Sequence, residues 1–91
     1  MKSPIGYKFR DQTIPENTAY GLLQYVNHRI RTGSFLTAVL CNDLKEAMSY
    51  ADDENADNLQ CIVAWLYNES PSAAWGSEQR FTSWLAGRGD S

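Results

Sequence analysis

Between Ala19 and Leu85 the apolar residues return at helical intervals, in four runs separated by short polar joints. Ala19, Leu22, Leu23, Val26 and Ile30 make the first stripe. Ahead of it, Thr13, Pro15 and Glu16 read as a start signal: a capping hydroxyl, a proline tolerated in a first turn, and a glutamate that closes a capping box. A helix is predicted over about 15–30. The joint Arg31-Thr32-Gly33-Ser34 ends it, with Gly33 expected at positive φ and Thr32 or Ser34 expected to cap the next helix. A second helix over about 35–50 places Leu36, Val39, Leu40, Leu44, Ala47 and Ala51 on one arc, and Asp43 near the middle of it. A third helix, capped by Asp52 or Asp53, carries Leu59, Ile62, Val63 and Leu66, flanked by Trp65 and Tyr67. It stops near Asn68, because Pro71 disfavours helical geometry in the residue before it. Residues 71–77 form a tight connection with Trp75 as a plug. A short fourth helix from Ser77 shows Phe81, Trp84 and Leu85 on one side and ends at Gly87.

Residues 1–12 have no clean period, and Pro4 and Gly6 oppose a helix, so an irregular arm anchored by Tyr7 and Phe9 is expected there. No alternating pattern predicts a strand. The fold class is all-α: a compact bundle of about four short helices over 13–87, with the irregular arm at 1–12 and a flexible tail at 88–91. A chain of 91 residues holds one modest core and no second lobe.

Charge changes the picture of partners. The net charge of −3 is uneven: residues 1–31 carry five cations against two acids, and 32–91 three against nine. General duplex-DNA binding requires the opposite overall sign. Cys41 and Cys61 both fall in helical patterns and read as reduced, partly buried thiols. With His28 as the one histidine they fall short of a zinc site, and no metal or cofactor is expected. Neither a secretion signal nor a membrane-spanning run is visible, which predicts a soluble cytoplasmic protein. The Arg88-Gly89-Asp90 tripeptide of the tail is read as chance.

Catalysis finds little to build on. His28 reads as an exposed helix residue, and Cys41 points away from the core arc, so no activated nucleophile is in view and no enzyme is predicted. Asp43 and Glu46, near Asp52 and Asn55, lack calcium-loop spacing. Asp43 on an apolar arc has two readings. It accepts N–H groups from a helix start or pairs with Arg29 or Arg31, or it borders a pocket and contacts a ligand.

The turn after the first helix is the sharpest binding candidate. A glycine-bearing turn that leads into a helix presents free N–H groups, and Arg29, Arg31, Thr32 and Ser34 beside Gly33 suit a phosphate. Tyr25, one turn back, is expected to stack on a base. A second candidate surface is the acidic edge Asp52, Asp53, Glu54 and Asp57 with the aromatics Trp65 and Trp75, suited to a protein partner.

The order Ile14-Pro-x-x-Thr18, Tyr25-Val26, Gly33-x-Phe35-Leu36, Ala38-Val39-Leu40, Asn42-Asp43-Leu44, Ala51-Asp52, Tyr67-Asn68, Pro71 and Trp75-Gly76-Ser77 resembles a group of short bacteriophage and prophage proteins. The chain departs from that pattern where Arg31-Thr32-Gly33-Ser34 replaces a Pro-Gly-Gly type turn. The resemblance implies a phage accessory protein within the host cell and brings no established activity. It leaves three expectations: a non-catalytic counter-defence factor that sequesters a small phosphorylated nucleotide signal, an inhibitor of a host protein, or a virion or assembly component. Wide apolar arcs on the second and third helices predict a homo-oligomer.

Overall fold

The computed structural model describes residues 1–87, so the Arg88-Gly89-Asp90 tripeptide and the tail lie outside the described residues. The chain is mostly helical and opens with a small hairpin. Strands β1 (Lys8–Phe9) and β2 (Gln12–Thr13) pair antiparallel, in the register Lys8 with Thr13 and Phe9 with Gln12. Among the described residues six helices come after it: α1 (Glu16–His28), α2 (Ser34–Leu40), α3 (Leu44–Tyr50), α4 (Asp53–Asp57), α5 (Leu59–Glu69) and α6 (Glu78–Leu85), with a 3₁₀ turn at Ser72–Ala74.

The expected irregular arm is thus a structured element. It runs back along α5, where the Trp65 indole N–H donates to the Lys2 carbonyl (2.9 Å) and the Cys61 amide donates to the Gln12 side chain (3.0 Å). The second bond satisfies one of the first-turn N–H groups that α5 leaves open. Pro4, within the arm, is fully buried. Thr13 belongs to β2 and caps nothing; Pro15 holds the N-cap position of α1, and no side chain caps the helix.

The predicted second helix is two. Asn42 adopts φ 62°, a left-handed conformation that asparagine tolerates better than most residues, and the chain turns a corner there. Asp43 then starts α3, its carboxylate accepting the Glu46 amide N–H at 3.2 Å. Asp43 therefore sits exposed at a helix start, and Leu44, expected in the core, is 68% exposed. The third predicted helix also divides. Asp52 caps α4 through the Asn55 amide (2.8 Å), and Asn58 separates α4 from α5. Asn58 also ties this joint to the hairpin, its Oδ1 accepting from the Thr13 amide (3.1 Å) and its Nδ2 donating to the Glu54 carbonyl (2.9 Å).

The core gathers Leu22, Tyr25, Leu40, Ile62, Trp65, Leu66 and Phe81. Tyr25 and Phe81 stack, centroids 5.4 Å apart and planes 14° from parallel. Trp75 plugs the core only partly: it is half-buried, while its neighbour Ala74 is fully buried. The loop is fastened to α2 by the Gly76 amide, which donates to the Leu40 carbonyl at 2.8 Å. Among the described residues, no buried side-chain nitrogen or oxygen lacks a hydrogen-bond partner, and no helix is long and apolar enough to cross a membrane.

Candidate functional site

The sequence singled out the end of α1, and here the structure separates residues that stand close in sequence. Helix α1 ends at Arg29, which takes the left-handed conformation (φ 56°, ψ 38°). Gly33, expected at positive φ, is extended instead (φ −72°, ψ −179°). An L-residue in the left-handed region costs on the order of 1–2 kcal/mol unless something holds it. The Arg29 guanidinium lies 4.1 Å from the Trp84 ring centroid and donates to the Trp84 carbonyl at 2.8 Å. In return the Trp84 indole donates to the Tyr25 carbonyl at 3.1 Å. The Tyr25 hydroxyl donates to the Ala74 carbonyl at 2.7 Å.

Tyr25 is therefore no stacking platform for a base: it is fully buried, both faces and its hydroxyl committed to the core. Burial pushes its phenol well above the usual tyrosine range. Arg29 likewise locks α1 to α6.

Arg31, Thr32, Gly33 and Ser34 do come together, along an open groove of about 450 Å³ between the outer face of α1 and the turn into α2. The α1 wall is Asn17, Tyr20, Gly21 and Gln24, and Asn55 closes one end. Phe35 lines the groove half-buried, and Tyr20, 59% exposed, is its exposed aromatic. It escaped sequence reasoning because it lies on the polar side of α1, where a tyrosine carries no periodic signal. Gly21 shapes the floor: a Cβ there would meet Leu36 Cδ1 at 3.1 Å, so glycine lets α2 approach α1 closely.

The polar atoms of the groove differ in availability. Thr32 Oγ1 already shares a hydrogen bond with Thr37 Oγ1 at 2.9 Å, and Thr18 Oγ1 donates to Asn55 Oδ1 at 2.6 Å. The second bond occupies the Asn55 carbonyl oxygen and leaves its amide as a donor. Arg31 is exposed; its guanidinium lies 5.5 Å from the Phe81 ring centroid. Its charge opposes the effects of burial, Glu78 and Asp43, which together raise the Cys41 thiol above its ordinary pKa. Helix α2 has only seven residues, so the anion affinity expected of a long helix start does not carry over.

The second candidate surface divides as well. Asp52, Asp53, Glu54 and Asp57 are exposed around α4. Trp65, expected beside them as a contact for a partner, is fully buried, and its indole N–H is spent on the Lys2 carbonyl. Trp75 is half-buried and borders different hollows. Among the described residues, no three His, Cys, Asp or Glu side chains converge as metal ligands do. Comparison with family models, with curated proteins and with solved structures found no match to this chain.

Proposed function

We propose that the chain is a stoichiometric binding protein that takes a small phosphorylated nucleotide into the groove between α1 and the 31–34 turn, without transforming it. One observation carries this reading. On a chain of net charge −3, the residues lining the groove include one cation, Arg31, and no carboxylate, together with the rings of Tyr20 and Phe35, the aliphatic Ile30 and Leu36, and side-chain amides and hydroxyls. Its volume lies within the range of small-ligand sites, about 300–1,000 Å³.

The parts match a nucleotide in kind. Tyr20 offers a ring face for a base, Asn17, Gln24 and Asn55 offer amides for its edge, and Arg31 with Ser34 suits a phosphate. No histidine, cysteine or carboxylate lines the groove to act as a general acid or base, which favours retention over turnover. The likeness to phage accessory proteins fits this reading, since a counter-defence factor acts by removing a signal from solution.

Calorimetry with mononucleotides, dinucleotides and cyclic nucleotides tests it. A saturable heat is expected from at least one ligand, recovered intact afterwards. Tyr20→Ala should weaken it by about 1–3 kcal/mol, the range for one base on an aromatic ring. Silence from the whole panel, or unchanged affinity in Tyr20→Ala, sinks the proposal.

A further inference from the structure

Two hydrogen bonds give the groove on α1 a direction. Near the start of the helix, Thr18 Oγ1 donates to Asn55 Oδ1 at 2.6 Å. Near its end, the Ile30 amide donates to the Gln24 carbonyl at 3.2 Å, which brings the 31–34 turn to that side. From Thr18 to Gln24 the helix advances about 9 Å, at 1.5 Å of rise per residue. The far end carries the cation Arg31. The near end carries the opposite field, because Asp52 Oδ1 accepts the Asn55 backbone N–H at 2.8 Å and Asp53 and Glu54 adjoin it in α4. A phosphate is drawn to the first end and repelled from the second. The base of a bound nucleotide therefore lies against Asn55.

We infer that Asn55 is a fixed hydrogen-bond donor that selects the base, with Thr18 as the residue that positions it. The groove then prefers bases that present a carbonyl oxygen (guanine, hypoxanthine, uracil) over those that present an amino group in its place (adenine, cytosine). This inference rests on the nucleotide reading of the groove.

The orientation of the Asn55 amide follows from burial. Thr18 is 7% exposed, and its hydroxyl finds its partner in the Asn55 side chain. Turned over, the amide nitrogen would donate to Oγ1 and leave the hydroxyl hydrogen buried without an acceptor, the costlier arrangement. The separation agrees: 2.6 Å is ordinary for O–H···O and shorter than N–H···O bonds run. The other half of the amide is open. Nδ2 has no hydrogen-bond partner among the described residues, and it is not sealed from water, since no buried side-chain nitrogen there lacks one. The backbone is held as well, the Asn55 carbonyl accepting from the Asn58 amide at 3.3 Å. Asn17 and Gln24 have no comparable tie, so their amides turn to suit either kind of edge. Asn55 does not turn. A carbonyl oxygen accepts its N–H, whereas an amino group meets it donor to donor.

Calorimetry with two matched pairs tests this: inosine against adenosine and uridine against cytidine, as 5′-monophosphates and as 3′,5′-cyclic monophosphates. Wild type should bind the carbonyl-bearing member of each pair about tenfold more tightly. Thr18→Val keeps the buried shape but frees the amide to turn over, so the preference should shrink to about twofold or less. Thr18→Ser keeps the hydroxyl and should keep the preference. Asn55→Asp puts an acceptor in the same place and should reverse it. A purely structural Thr18 would instead lower both members of a pair alike. Equal affinities within each pair, with Tyr20→Ala still weakening both, overturn the inference and leave the nucleotide reading standing. So does a preference that Thr18→Val leaves whole. Silence from every nucleotide removes both.

Discussion

Arg29 and Arg31 are two residues apart and serve opposite ends. Arg29 turns inward: it lies over Trp84, donates to that residue's carbonyl and holds a left-handed backbone in place. Arg31 stays outside on the rim of an open groove. The same contrast separates Tyr25, sealed between Phe81 and the Ala74 carbonyl, from Tyr20, five residues earlier and exposed. One region of α1 and its turn is invested in stability, and the neighbouring region has its side chains available. Residue type does not distinguish them, since each has one arginine and one tyrosine. Helical phase does.

The largest test of that contrast is Tyr25→Ala against Tyr20→Ala. Tyr25→Ala empties the centre of the core and orphans the Ala74 carbonyl, so a loss of about 3–5 kcal/mol is expected, enough to unfold many domains of this size. Tyr20→Ala should stay within about 0.5 kcal/mol of wild type. Urea melts of both check it, and comparable losses would dissolve the distinction.

Alkaline pH reaches the same core without a mutation. Burial raises the Tyr25 phenol and the Cys61 thiol above their ordinary values, and the Cys41 thiol is raised by burial, Glu78 and Asp43. For each, the neutral form is favoured in the folded chain, so above the unfolded-state pKa the unfolded chain holds fewer protons than the folded one. Stability must then fall with rising pH. The contribution is whole below about pH 8.5, begins to fade as unfolded cysteines ionise, and fades further above about pH 10 as unfolded tyrosine does. Thermal melts from neutral to alkaline pH should show this, and Cys61→Ala should blunt the first part of the decline. A flat profile would mean that these groups are better solvated than the packing shows.

Arg29 can be taken apart more finely. Arg29→Ala loses the ring contact and the hydrogen bond yet keeps a Cβ in the left-handed region, and should cost about 1–2 kcal/mol. Arg29→Gly loses the same contacts but relieves the backbone, so it should recover about 1 kcal/mol of that loss. If Gly and Ala are equally destabilised, the backbone at Arg29 is not strained and the turn is held by other means.

How legible was this in the sequence? Leu22 and Val26 of α1, Ile62 and Leu66 of α5, and Phe81 and Trp84 of α6 were plain from their spacing. Ile30 and Val63, expected on the same faces, are 51 and 36% exposed, whereas Tyr25 and Trp65, expected beside them, fill the core. The corner at Cys41–Asp43 was not plain. Asn42-Asp43 is a stop followed by a start, a left-handed asparagine and a capping aspartate. It lies inside apolar spacing that continues on both sides, so periodicity ran straight through it. Asp43 looked misplaced on an apolar arc only because the arc was drawn across two helices. The hairpin was invisible for a different reason: two-residue strands are too short to alternate, and contacts to α5 across some fifty residues hold the arm. At the candidate site the turn at 31–34 was singled out from its residue types. Its aromatic partner was misassigned to Tyr25, because distance along the chain was weighed before the side of the helix. Trp65 failed likewise, taken for a surface contact when its ring is fully buried and its indole N–H donates to the Lys2 carbonyl of the arm.

The smallest expected effect on stability is also the one that bears most on function. Arg31→Ala removes an exposed guanidinium whose contact with Phe81 spans 5.5 Å, so its melting behaviour should lie within about 0.5 kcal/mol of wild type. Its effect on ligand binding should be large by comparison: a charge-assisted contact to phosphate is worth about 1.5–3 kcal/mol, or tenfold and more in affinity. Arg31→Lys keeps the charge but loses the planar fork, and should fall between the two. Affinity of the wild type should also weaken with added salt, and that dependence should shrink in Arg31→Ala. If Arg31→Ala instead destabilises the fold as much as Arg29→Ala, the Phe81 contact is structural. The two arginines would then be a single brace, and the groove would have lost its cation.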